Sequence, residues 1–254
     1  SVGLTNFTRF AAGIYVASVN PASIQTTLVS LNTINNCLYG IWMINTSAGQ
    51  IKNNQININM TNAQIDNATT NFAPIRGIVV QQSQKADVWS NTINRNLGTG
   101  NGVSNDNLQA IRLELSPSSY VWKNTMNKTA VGFYALGSSL GSRVECNAMN
   151  FNRNGFWMQL ADISSQGAAP ALGNPGISAH NVWANNFANN SDGSTINHGS
   201  ASLLYYYHSA GGPFTSNPTY NLGILNFWTD ITIGGSTNHT CGPGAIQQPV
   251  ELMS

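Results

Sequence analysis

Leu31-Asn32-Thr33-Ile34, Asn53-Asn54-Gln55-Ile56, Ser90-Asn91-Thr92-Ile93, Lys123-Asn124-Thr125-Met126, Cys146-Asn147-Ala148-Met149 and Ala184-Asn185-Asn186-Phe187 are six copies of one phrase, x-Asn-x-apolar. From Asn to Asn the steps are 22, 37, 33, 23 and 38 residues. The short steps define a unit of 22 to 23 residues, and the long ones read as the same unit with a loop inserted. A fixed short period marks a repeat architecture, in which each unit buries its apolar face only by stacking on the next.

Other phrases keep step with the first. A Gly that opens an apolar stretch follows the Asn by eight residues in Gly40-Ile41-Trp42-Met43, Gly132-Phe133-Tyr134-Ala135 and Gly155-Phe156-Trp157-Met158. Gly13-Ile14-Tyr15-Val16, Gly77-Ile78-Val79-Val80 and Ala110-Ile111-Arg112-Leu113 are further copies. Val29, Ile51, Val88, Val121, Val144 and Val182 stand three residues before the Asn. Apolar residues alternate within each stretch, which is the period of a strand with one buried face. No stretch sustains a 3.6-residue period, so helix is not expected.

The expected fold is therefore all-β: a parallel β-helix whose coils lie about 4.8 Å apart. The recurrent Asn suits turns, because it tolerates left-handed backbone, and stacked copies can hydrogen-bond as a ladder. These phrases resemble the right-handed parallel β-helix repeat proteins, which include pectate lyases, polygalacturonases, phage tailspikes and bacterial surface proteins. The resemblance covers about residues 13–230 and implies a right-handed β-solenoid. It does not imply one function, because a fold hosts many.

One elongated domain over 1–254 is expected, with 231–254 as C-terminal cap and tail. Charged residues are only 7% of the chain and the formal net charge is +1. The ten basic residues are scattered, which excludes an electrostatic footprint for nucleic acid. No long apolar run suggests membrane insertion. The surface must be made of Asn, Ser, Thr, Gln and Gly, as in secreted β-solenoids. Three cysteines, Cys37, Cys146 and Cys241, leave at least one thiol, and Cys146 is expected as a buried small apolar residue.

The final residues, Pro249-Val250-Glu251-Leu252-Met253-Ser254, resemble the opening of the C-terminal sorting domain of type IX secretion substrates in Bacteroidetes. That resemblance implies export by the type IX machinery and an extracellular or cell-surface location.

Three insertions break the rhythm near residues 57–76, 94–109 and 160–180. The first is expected to extend a strand. The Gly-rich Leu97–Gly102 stretch is a loop and not a phosphate cradle, because no helix follows and no Lys is placed.

Alternation assigns faces. Ile41 and Met43, with their equivalents, point inward. One outward column reads Tyr15, Trp42, Val79, Arg112, Tyr134, Trp157, and a second reads Ser30, Lys52, Trp89, Trp122, Glu145, Trp183. Five of the six tryptophans fall in these columns. Outward aromatic rings at strand spacing suit a glycan-binding face, so Tyr15, Trp42, Trp89, Arg112, Trp122, Tyr134, Trp157 and Trp183 are the candidate ligand contacts. The competing expectation is that insertion loops cover the rings and make a second small core.

A catalytic constellation is not apparent. The nine acids include no adjacent pair, as ordinary glycoside hydrolysis would need, and too few oxygen ligands converge for calcium. The polygalacturonase phrases Asn-Thr-Asp, Asp-Asp and Gly-His-Gly are missing. The closest approach to a catalytic set is Arg112 with Glu114, joined by Lys123 and Glu145, where a base and a neutralising partner could drive β-elimination on a uronate. A surface salt bridge is the commoner role for such a pair. The histidines show no metal spacing, so no metal or cofactor is expected. The expected function is an extracellular, non-catalytic binding or adhesion surface for polysaccharide. A polysaccharide lyase or hydrolase with an atypical site is the second reading, and a purely structural stalk is the third.

Overall fold

In each unit the chain makes three short strands, turns between them, and returns to stack on its own beginning. The computed structural model describes residues 2–3, 6–8, 12–18, 27–71, 73–98, 107–164, 166–167, 179, 181–184, 195–198, 203–208 and 228–233. The first sheet contains β1 (Val2–Gly3), β4 (Leu28–Ser30), β7 (Gln50–Lys52), β10 (Asp87–Trp89), β13 (Tyr120–Trp122) and β16 (Arg143–Glu145). The second contains β2 (Asn6–Thr8), β5 (Thr33–Asn35), β8 (Gln55–Ile58), β11 (Thr92–Arg95), β14 (Thr125–Asn127), β17 (Ala148–Asn150) and β19 (Val182–Ala184). The third contains β3 (Ala12–Ala17), β6 (Tyr39–Ile44), β9 (Ile75–Gln81), β12 (Leu108–Glu114), β15 (Val131–Ser138), β18 (Asn154–Asp162) and β20 (Thr195–His198). All the pairings are parallel, in coil order, so the chain is an all-β parallel solenoid. A separate parallel pair joins β21 (Leu203–His208) to β22 (Trp228–Ile233).

The core is a stack of inward residues in register. Val88 lies over Ile51, Ile93 over Ile56, and Ile78 over Ile41, all almost wholly buried. The expected alternation of buried and more exposed residues holds in β7, β8, β10 and β11, whereas in β9 the outward Val79 is buried as well.

The first bend explains the Asn. Its left-handed residue is the one before the ladder Asn: Leu31, Asn53, Ser90, Lys123 and Cys146 have φ between 52° and 60°. The Asn itself works through its side chain. Asn91 Oδ1 accepts from Asn54 N at 3.0 Å and from Asn54 Nδ2 at 2.9 Å. Asn91 Nδ2 donates to Asn124 Oδ1 at 3.0 Å and to the carbonyls of Ile51 and Trp89 at 2.9 and 3.1 Å. The amide thus supplies partners to backbone groups that the bend takes out of the strand ladder.

The glycine column has a different cause. A Cβ on Gly40 would lie 2.5 Å from Gly77 O, and one on Gly77 would lie 2.5 Å from Ala110 O. The next coil's backbone occupies the space a side chain would need. At the bend from the third sheet to the first, hydroxyls replace amides: Thr46 N donates to Ser83 Oγ at 3.1 Å, Ser83 N to Ser116 Oγ at 3.2 Å, and Ser116 N to Ser139 Oγ at 3.0 Å.

Four expectations need correction. The last ladder position is Asn181, not Asn185: Asn147 N and Nδ2 both donate to Asn181 Oδ1 at 3.0 Å, a step of 34 residues. The copy is His180-Asn181-Val182-Trp183, and it satisfies the same phrase. Trp183 therefore pairs with Met149 in the second sheet and does not continue the outward column of the first. Second, the first insertion does not extend a strand beyond Ile58; it forms α1 (Asn62–Asn71). A capping box starts that helix: Gln64 N donates to Thr61 Oγ1 at 3.3 Å and Thr61 N to Gln64 Oε1 at 2.9 Å. Ile65 anchors it, fully buried. Third, Cys146 is disulfide-bonded rather than a buried small apolar residue, while Cys37 is a buried thiol donating to Asn35 O at 3.6 Å. Fourth, the left-handed bend residue precedes the Asn, as given above.

The tail motif Pro249–Ser254, the loop 99–106, most of the 160–180 insertion and most of the cap at 231–254 lie outside the described residues.

Candidate functional site

The third sheet carries the first outward column as expected. Tyr15, Trp42, Val79, Arg112, Tyr134 and Trp157 are partners in successive strands. Their exposure is unequal. Tyr15 is 58% exposed, whereas Arg112 and Tyr134 keep only 7% and 2%. Trp42 and Trp157 are half-buried, and Val79 is buried. Position on the outer side of a strand therefore does not make Val79, Arg112 or Tyr134 available to a large ligand.

These side chains form a connected track. Trp42 Nε1 donates to Gln81 Oε1 at 3.0 Å, and Gln81 Nε2 donates to Glu114 Oε1 at 3.1 Å. Arg112 gives Nε and Nη2 to Glu114 Oε2 at 3.0 and 2.8 Å, and its guanidinium lies 4.9 Å from the Tyr134 ring centre. Tyr15 meets Trp42 edge-on at 5.2 Å, and Tyr39 stacks on Trp42 at 5.0 Å. The Arg112–Glu114 contact is the salt bridge expected of such a pair.

The first sheet carries the second outward column. Trp89 and Trp122 are register partners and stack at 5.7 Å with planes 7° apart. Lys52 caps this pair, 5.0 Å from the Trp89 ring centre, and Lys123 lies 5.2 Å from the Trp122 ring. Tyr120 also stacks against Trp122, at 5.9 Å. Ring faces are thus given to neighbours along the axis, and the edges face outward.

A third outward row, two residues earlier in each strand, went unremarked in the sequence: Asp87, Tyr120 and Arg143. Strand alternation was the signal that would have found it. Trp122 Nε1 donates to Asp87 Oδ1 at 2.6 Å, and Tyr120 hydroxyl donates to Glu145 Oε2 at 2.7 Å. Arg143 Nε and Nη2 donate to Glu145 Oε1 at 3.1 and 2.9 Å, and Gly167 N donates to it at 3.4 Å. Glu145 is fully buried.

Burial pushes the Asp87 carboxyl above its ordinary value, against the opposing pull of the Trp122 hydrogen bond and Lys52. A raised carboxyl favours the protonated folded form. Its stabilising share is complete below the unfolded value and is lost as pH rises through the folded one. Asp87→Asn stays neutral and keeps an oxygen for Trp122. Its thermal midpoint relative to wild type should therefore climb between pH 3 and pH 7. A relative fall, followed by circular dichroism melts, would mean that the ionised carboxylate is the better partner.

The four candidate catalytic residues are not gathered. Arg112 and Glu114 belong to β12 in the third sheet, Glu145 to β16 in the first, and exposed Lys123 to the bend after β13. Among the described residues, no three His, Cys, Asp or Glu side chains group as a metal site, and no helix is long and apolar enough to cross a membrane. Comparison with known protein families, curated proteins and solved structures gives no match.

Proposed function

We propose that this chain is a right-handed parallel β-helix module of a secreted or bacterial cell-surface protein. It presents a rigid surface for adhesion to polysaccharide and does no chemistry of its own. The observation that carries this reading is the half-exposed row Lys52, Trp89, Trp122, with Lys123 beside it. A polymer lying along the coil axis would meet indole edges and two ammonium groups at strand spacing. Apolar edges with polar ends suit a hydroxyl-rich chain. The fixed register lets one row touch successive sugar units without an ordering cost at each.

Two further observations support the location. Cys146 is disulfide-bonded, which fits an oxidising compartment. The Pro249–Ser254 resemblance fits export through the type IX machinery of Bacteroidetes.

The test is electrophoresis through gels cast with a panel of polysaccharides, each gel then assayed for cleavage products. Retardation without products is expected, and Lys52→Ala and Trp89→Ala should weaken it several-fold. Exposed Tyr15→Ala reports whether the third-sheet column takes part. Products would replace this reading with a lyase or hydrolase, and absence of retardation throughout the panel would favour a structural stalk.

A further inference from the structure

Charge and aromatic rings are divided unevenly among the three sheets. The first turns Lys52, Asp87 and Arg143 outward, and the third turns Arg76, Arg112 and Glu114 outward. The second differs. From β5 to β17 its outward positions hold no charged and no aromatic side chain. One column is Asn in all five strands, from Asn35 to Asn150, and the other is Thr in three, Thr33, Thr92 and Thr125. A glutamine and an alanine fill the remaining two positions.

These side chains are accessible and partly fixed. All are half-buried or exposed, while the residue between each pair is buried. Asn57 Nδ2 donates to Asn35 Oδ1 at 3.0 Å, and Asn150 Nδ2 to Asn127 Oδ1 at 2.9 Å. Thr has few χ1 choices because it is β-branched. The result is a two-dimensional array of hydroxyls and amides. Its spacing is about 4.8 Å across strands and about 6.6 Å along them. The cross-strand spacing lies near the short oxygen repeat of hexagonal ice, and the along-strand spacing falls somewhat short of the long one.

We propose that this uncharged face binds ice. Hydroxyls and amides at lattice spacing hold first-layer water where the crystal would place it. A charge would hold a shell that fits no lattice, and this face has none among its described outward positions. A crystalline neutral polysaccharide is the less suitable occupant, because its flat sugar faces call for rings, which lie outward on the other two sheets. The proposal uses a different sheet from the glycan row and does not depend on it.

The test uses the full chain in a nanolitre osmometer, together with its uptake into a growing ice hemisphere. Faceted crystals, a freezing point held below the melting point, and enrichment in the ice are expected. Thr92→Tyr, at the centre of the array, should abolish all three while its circular dichroism and thermal midpoint stay at wild-type values. Tyrosine suits a half-exposed strand position. If that variant does not fold, Thr125→Tyr decides in its place. A wild-type chain that neither shapes nor enters ice would overturn the proposal. Ice activity that survives in a folded variant would do so too. Adsorption to powdered cellulose or chitin that Thr92→Tyr abolishes, without ice activity, would overturn ice as the occupant. The Lys52 and Trp89 variants test the glycan row separately.

Discussion

Asn91→Leu is expected to lose about 4 kcal/mol of stability, a large fraction of the roughly 5–15 kcal/mol that keeps a typical domain folded. Leucine has the branched shape of Asn and a somewhat larger volume, but none of its hydrogen bonds. Asn54 N and Nδ2 would lose their shared acceptor, and the carbonyls of Ile51 and Trp89 and Asn124 Oδ1 would lose a donor. The site is buried, so water cannot replace them without opening the bend. Each buried group left without its partner costs about 1–3 kcal/mol. Asn94→Leu, on the outer face of the same coil, should cost under about 1 kcal/mol. Urea unfolding of the two variants makes the comparison. Equal stabilities would show that the inner amides are not what holds the coils together.

Gly77→Ala is the second large effect, at about 3 kcal/mol. The new methyl would sit 2.5 Å from Ala110 O and 2.8 Å from Ile93 Cγ2. The first contact is with backbone, so relief requires parting two coils and stretching their hydrogen bonds. Gly132→Ala meets Gly155 O at 2.8 Å and should cost less. Thermal midpoints should therefore fall by roughly 6–12 °C for Gly77→Ala, with Gly132→Ala between it and wild type. The reverse order would mean that the approach of the next coil's carbonyl does not set the glycine requirement.

The frame was readable because its requirements recur at a fixed phase. An amide at every described first bend and a glycine at all but one of the close approaches, where Ala110 stands, leave marks that survive insertions between them. Asn181 shows where this stops. Both His180-Asn181-Val182-Trp183 and Ala184-Asn185-Asn186-Phe187 satisfy the phrase. After a long insertion only the hydrogen bonds of Asn147 distinguish them. That slip moved Trp183 to the wrong sheet. Helix α1 escaped because only Ile65 and the small Ala68 turn to the core, too little for an apolar period to stand out; Thr61 and Gln64 were its clearest local mark.

The site was half legible. Alternation placed Lys52, Trp89 and Trp122 on one outward row, but it could not tell that their rings would spend their faces on each other. Nor could it tell that Arg112, Tyr134 and Glu145 would be buried, because alternation gives the side of the strand and not the packing of its neighbours. Arg95 is the extreme case. It occupies an inward position and is fully buried, with Nε donating to Met60 O at 3.1 Å and Nη2 to Asn62 Oδ1. No local pattern announces a cation beneath an inserted helix.

The bend between the second and third sheets acts as a port. Compact coils cross it in residues 36–38, 128–130 and 151–153, whereas two others cross it in 59–74 and 96–107. The amide ladder at the first bend continues through both long crossings, with Asn54, Asn91 and Asn124 still joined. Chain length at this port is therefore uncoupled from the frame. Doubling a loop costs only about 0.6 kcal/mol in closure entropy. New segments can be grafted or lost there, one coil at a time, so the molecule can change what it displays without redesigning what holds it upright.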